Sequence, residues 1–132
     1  MTEEVTSWAA LREFKHTDLT QSFVLSWEVS SDLLQIDVDL YLCPDHPFYE
    51  APRPAEKACF RPAHIEFPHC SKILASLQDQ DVSPAKAIHA LGGGLINDLR
   101  RTGEGEYEIS GEFGQLTIFA ERPMVRLKDR RT

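Results

Sequence analysis

Between Leu34 and Leu42 every second residue is aliphatic: Leu34, Ile36, Val38, Leu40 and Leu42 alternate with Gln35, Asp37, Asp39 and Tyr41. Side chains alternate between the two faces of a pleated strand, so this order places five aliphatic groups on one side and the carboxylates on the other. A helix would scatter the same five groups around its circumference. The stretch therefore predicts a strand with one face in a core and an acidic face turned to water.

The residues before it extend the prediction. Phe23, Leu25, Trp27 and Val29 alternate with Val24, Ser26 and Glu28, and Ser30-Ser31-Asp32-Leu33 supplies turn residues between the two runs. The two runs predict a hairpin. With Val29 opposite Leu34, the pairs Trp27–Ile36, Leu25–Val38 and Phe23–Leu40 all reach the core side. Each large side chain buried there is worth about 1.5–3 kcal/mol, and a slip of one residue would expose them all. The same pairing sets Glu28, Asp37 and Asp39 on the outer face.

The rest of the chain reads as further strands broken by turns. Trp8, Leu11 and Phe14 are three apart, which favours a short helix within Thr6–His16, with an edge strand from Leu11 as the alternative. Thr17–Ser22 is polar and turn-like. Pro44, Pro47, Pro52 and Pro54 end the Leu34 strand and stiffen a loop that carries Phe48 and Tyr49. Lys57–Arg61 and Ala63–Phe67 predict two short strands split by Pro62, whereas Ser71–Gln78 fits strand or helix. Ser83-Pro84 starts a helix that Gly92-Gly93-Gly94 stops, because three glycines inside it would cost about 3 kcal/mol. One long helix to Leu99 is the competing reading, and Leu95–Arg101 as a strand is preferred. Runs around Tyr107 and Ile109, Leu116 and Ile118, and Val125 and Leu127 complete a meander. The expected fold is mainly β: an antiparallel β-sandwich or open barrel built from hairpins, with one short helix near residues 84–91.

At 132 residues the chain fits one β-rich domain, residues 1–132, large enough to fold without a metal or disulfide. Three cysteines at irregular spacing, an acidic first segment and no long apolar run predict reduced thiols in a cytoplasmic protein that no membrane holds. Charge is uneven: residues 1–50 carry ten acids and two bases, while the total is only −7, so the remainder is slightly basic. An acidic surface repels nucleic acid and anionic membrane and suits a basic protein partner, although solubility alone would also account for it.

Several residue sets could carry chemistry. Cys43-x-x-His46 and Cys59-x4-His64 have the ligand types of a zinc site split into two halves. Cys43 with His46, or Cys70 with His69, could make an activated thiol, yet no family-specific nucleophile motif accompanies them. Glu28, Asp37 and Asp39 could serve sugar hydrolysis or a hard cation, but an exposed sheet face accounts for them more simply. The triple glycine lacks the Gly-Lys-Ser/Thr ending of a phosphate loop, and the basic C-terminal residues lack interleaved aromatics. Size and charge resemble those of the immunity proteins, small acidic inhibitors of toxins; the likeness is one of composition, with no shared motif.

Two expectations follow. The first is a non-catalytic, inhibitor-like interaction module without a cofactor. It engages a basic protein through Glu28, Asp37, Asp39, Phe48 and Tyr49, binds neither nucleic acid nor membrane, and could form a homodimer through a sheet edge. The alternative is a zinc-binding or cysteine-dependent enzyme built on Cys43, His46, Cys59 and His64.

Overall fold

The computed structural model describes residues 6–46, 60–75, 88 and 91–127. β1 (Thr6–Ser7) leads into two single-turn 3-10 helices, η1 (Trp8–Ala10) and η2 (Arg12–Phe14). The strands that follow are β2 (Thr17–Ser30), β3 (Leu33–Leu42), β4 (Phe60–Phe67), β5 (Lys72–Ala75), β6 (Gly94–Gly103), β7 (Glu106–Gly111), β8 (Gly114–Phe119) and β9 (Met124–Leu127). Every pairing is antiparallel, in the order β5-β8-β7-β6-β2-β3-β4-β9, with β1 beside β6.

The sheet folds over on itself. Phe67 on β4 and Tyr107 on β7 pack edge to face with ring centroids 5.4 Å apart. Their strands stand four steps apart in the sheet, which a flat sheet would make about 19 Å. The bend comes at the narrow β2–β6 junction, where Phe23 pairs with Leu95 and Val24 with Gly94. Two arms result, β2-β3-β4-β9 and β6-β7-β8-β5, and their apolar faces make one core. The five alternating aliphatics of β3 lie in it at 1 % exposure or less, together with Ile96, Leu99, Ile109, Leu116 and Ile118 from the other arm. This is the expected mainly-β architecture of antiparallel hairpins.

The β2–β3 hairpin turns at Ser31, whose φ is 56°. Val29 pairs with Leu34 and Trp27 with Ile36, as the alternation predicts. Then a bulge at Leu25–Ser26 sets two residues of β2 against one step of β3. An extra residue reverses the in–out parity of everything beyond it. Val24 therefore meets Val38 and Phe23 meets Asp39, in place of the expected Leu25–Val38 and Phe23–Leu40 pairs. Val24 is buried, whereas Phe23 and Leu25 turn outward with 40 % and 58 % of their surface exposed.

A second irregularity lies between Asp18 and Phe23. Here Ser22 Oγ donates to the Asp18 carbonyl at 2.8 Å and accepts the Tyr41 N–H at 2.9 Å. The Asp18 carboxylate accepts from the Thr20 N–H at 3.0 Å and from Gln21 Nε2 at 2.9 Å. Side chains thus supply the bonds the ladder lacks, so Thr17–Ser22 runs as strand and not as the expected turn.

Other segments also differ from expectation. Thr6–Phe14 holds a two-residue strand and the two 3-10 turns, and neither an α-helix nor a strand from Leu11 forms. β4 passes through Pro62 unbroken. Pro62 stands opposite Asp39 of β3, and the described β9 ladder starts beside it at Ala63, so no described β9 bond depends on its missing N–H. Lys72–Ala75 is strand. Of the helix expected near 84–91, Ile88 and Leu91 are described: Ile88 is helical and buried, and its carbonyl accepts the Leu91 N–H at 3.1 Å, while the other positions lie outside the described residues. The long-helix reading fails: residues 91–93 are not helical, and β6 begins at Gly94, whose φ is 133°. β6, β7 and β8 form the expected meander, but β9 leaves it to pair with β4. No described helix is long and apolar enough to cross a membrane.

Candidate functional site

The outer face of the β2-β3-β4-β9 arm gathers most of the singled-out side chains that are described. Register places Ser26, Asp37, His64 and Arg126 in one row across the four strands. Glu28, Gln35, Glu66 and Met124 form the next row, and Phe23, Asp39 and Pro62 the row on the other side. A final pair is Tyr41 with Phe60.

Two of the four acids in these rows, Asp37 and Glu66, find partners within the face. Ser26 Oγ donates to Asp37 Oδ2 at 3.1 Å, and Asp37 Oδ1 takes the Nε2 of His64. Gln35 Nε2 stands 3.1 Å from the same ring nitrogen. The nearly buried Glu66 carboxylate lies 3.3 Å from Arg126 Nε.

Asp39 differs. It is half-buried, and among the described residues it has neither a hydrogen-bond nor an ion-pair partner. Burial pushes its carboxyl above the usual carboxylate range, with no bond to pull it back. Its surroundings are aromatic: Phe23 and Phe60 pack at 6.1 Å between centroids, and Tyr41 meets Phe60 edge-on at 5.6 Å. Exposed Leu25 extends this patch, and exposed Glu28 is also without a partner among the described residues. Phe23 and Leu25 are the members that alternation assigns to the core. The sequence signal for their true position is slight: the Asp18-x-Thr20 pattern marks local backbone bonding, and nothing marks the bulge at Leu25–Ser26.

The described cysteine and histidine residues fall in separate places. Cys43 follows β3, and its N–H donates to the His16 carbonyl at 2.9 Å. Burial raises its thiol pKa, and Asp45 and Asp18 raise it further. His46 is pulled the other way, chiefly by burial and then by His16 and Arg61. The pair therefore favours neutral thiol and neutral imidazole, the reverse of an activated nucleophile. His64 stands opposite Asp37, six residues along the strand direction from Cys43 and hence about 20 Å away. One ion cannot be held by both. Cys59 lies outside the described residues, as do Phe48 and Tyr49. Among the described residues no three His, Cys, Asp or Glu side chains converge as metal ligands.

His69 and Cys70 also part company. The His69 ring is 66 % exposed, with Nδ1 3.2 Å from Asp32 Oδ2 and Nε2 3.7 Å from Glu121 Oε2. Cys70 is buried with its thiol 3.9 Å from the Lys72 carbonyl, and burial raises its pKa. What the face offers chemically is an apolar, aromatic patch around an uncompensated carboxylate. Compared with protein-family models, with curated proteins and with solved structures, the chain matches none.

Proposed function

We propose that the chain is a non-catalytic binding protein that takes a basic protein partner on the outer face of its β2-β3-β4-β9 arm. The observation that carries this reading is Asp39, a half-buried carboxylate with no partner among the described residues, beside the exposed apolar side chains Phe23 and Leu25. A buried charge without a counter-charge is costly, and an incoming cation removes that cost. A lysine or arginine of the partner would lay its methylene stem across Phe23 and Phe60 and bring its charge to Asp39. Glu28 and the overall charge of −7 would steer the approach.

The test is an NMR titration of the whole chain with a short lysine- and leucine-rich peptide, against a glutamate- and leucine-rich control. The lysine peptide should shift the amides of Phe23, Asp39 and Phe60, and association should slow steeply with added salt. Replacing Glu28, Asp37 and Asp39 together by serine should abolish the shifts. Equal binding by that variant overturns the reading.

Self-association is a second reading, favoured by β9, which stands at one end of the sheet among the described residues and carries Met124 at 46 % exposure. Sedimentation separates the two: a dimer that Met124→Lys dissociates supports pairing of copies along β9.

A further inference from the structure

A concavity lies away from that face. Ala10 and Leu11 stand on one side of it, and the β6–β7 turn at Glu104–Gly105 on the other. Its volume is about 620 Å³, within the usual range of small-ligand sites. Tyr107 and Leu11, both nearly buried, contribute apolar surface.

Four charged side chains line the cavity: Arg101, Glu104, Glu121 and Arg122. Two are already engaged, since Glu121 stands 3.7 Å from His69 and Arg122 has an interaction partner of its own. The other two are not. Arg101 is half-buried, directly opposite Tyr107 in the β6–β7 ladder, and Glu104 is at the turn that follows. Neither makes a hydrogen bond or ion pair among the described residues, so they do not neutralise one another. A guanidinium and a carboxylate that share a cavity without touching are both satisfied by a ligand that carries both opposite charges.

We infer that this cavity binds a small zwitterion: a free α-amino acid or a short peptide with free termini. Arg101 receives the carboxylate in its planar fork, Glu104 receives the ammonium, and an apolar side chain lies against Leu11 and Tyr107. The two free charges cancel, so polyanions such as nucleotides are disfavoured. This inference is independent of the docking face, which lies on the other arm.

The experiment is an NMR titration of the full chain with four probes: L-leucine, leucyl-leucine, N-acetyl-leucinamide and acetate. Leucine or leucyl-leucine should shift the amides of Thr6, Gly105 and Tyr107 saturably at millimolar concentration. Whichever of the two binds more tightly tells free amino acid from peptide. N-acetyl-leucinamide lacks both charges and should bind at least about tenfold more weakly, the size of one lost charge-assisted bond. Arg101→Gln and Glu104→Gln should each weaken the zwitterion by a similar factor. Neither side chain holds another residue, so both variants keep a native spectrum. The Glu28, Asp37 and Asp39 triple variant should bind leucine as the parent does. Three results overturn the inference: no saturable shift up to tens of millimolar, equal binding of acetate and leucine, or unchanged binding by a folded Arg101→Gln variant.

Discussion

On the β6-β7-β8-β5 arm, Arg100 Nη2 reaches Glu108 Oε1 across the strand pair at 2.9 Å, and Gln115 Nε2 donates to the same oxygen at 3.3 Å. On the β2-β3-β4-β9 arm, Asp39 has no equivalent neighbour among the described residues, and the side chain opposite it on β2 is Phe23. Both outer faces read as polar and charged in the sequence. One closes Arg100, Glu108 and Gln115 on one another. The other leaves a carboxylate uncompensated beside exposed apolar surface, the combination that lets a partner gain both hydrophobic contact and charge pairing. Net charge alone could not distinguish them, because the difference lies in which side chains stand opposite one another.

The largest expected effect tests which side of β2 and β3 is core. Leu40→Ala should destabilise the fold by about 2–5 kcal/mol, since Leu40 is fully buried. Leu25→Ala should change stability by no more than about 0.5 kcal/mol, because its side chain is mostly exposed. Urea unfolding of both variants measures this. A loss at Leu25 as large as that at Leu40 would mean that the bulge does not form.

The next effect concerns Asp39. Asp39→Asn should weaken binding of the lysine-rich peptide about tenfold, the scale of one charge-assisted bond. It should also change the pH dependence of stability. Burial raises the pKa of Asp39 in the folded chain, so the folded state holds its proton more tightly than the unfolded state. The stabilisation from protonated Asp39 is complete below the ordinary carboxylate pKa and is lost as pH rises through the raised value. Above that window Asp39→Asn should be more stable than the parent, and below it the two should match. Asp18 has the opposite slope. Burial disfavours its charge, but bonds from Gln21 and Thr20 outweigh burial and lower its pKa. Its contribution is present above the ordinary carboxylate pKa and fades as pH falls through the lowered value. Thermal unfolding of the parent and Asp39→Asn across the acid range checks the sign.

The smallest effect is on the self-paired face. Glu108→Gln should leave peptide binding unchanged and alter stability little, because exposed ion pairs contribute roughly 0–1 kcal/mol. A clear fall in peptide binding there would show that general acidity, and not the Asp39 patch, drives association.

The Leu34–Leu42 alternation by itself determined a strand, its buried side and the opposite side of its carboxylates, because a period of two has one geometric solution. The glycines at 92–94 likewise carried their break within the sequence, since three of them inside a helix would cost about 3 kcal/mol. Tertiary structure decided the rest. The bulge at Leu25–Ser26 depends on how β2 pairs with β3 on one side and bends to reach β6 on the other, and no local preference records it. That one extra residue moved Phe23 and Leu25 from the core to the surface. The placing of Leu11 beside the Arg101, Glu104 and Tyr107 hairpin around one cavity likewise joins segments far apart in the chain. Periodicity specifies which way a side chain points within a strand; only strand pairing and sheet bending specify what stands opposite it.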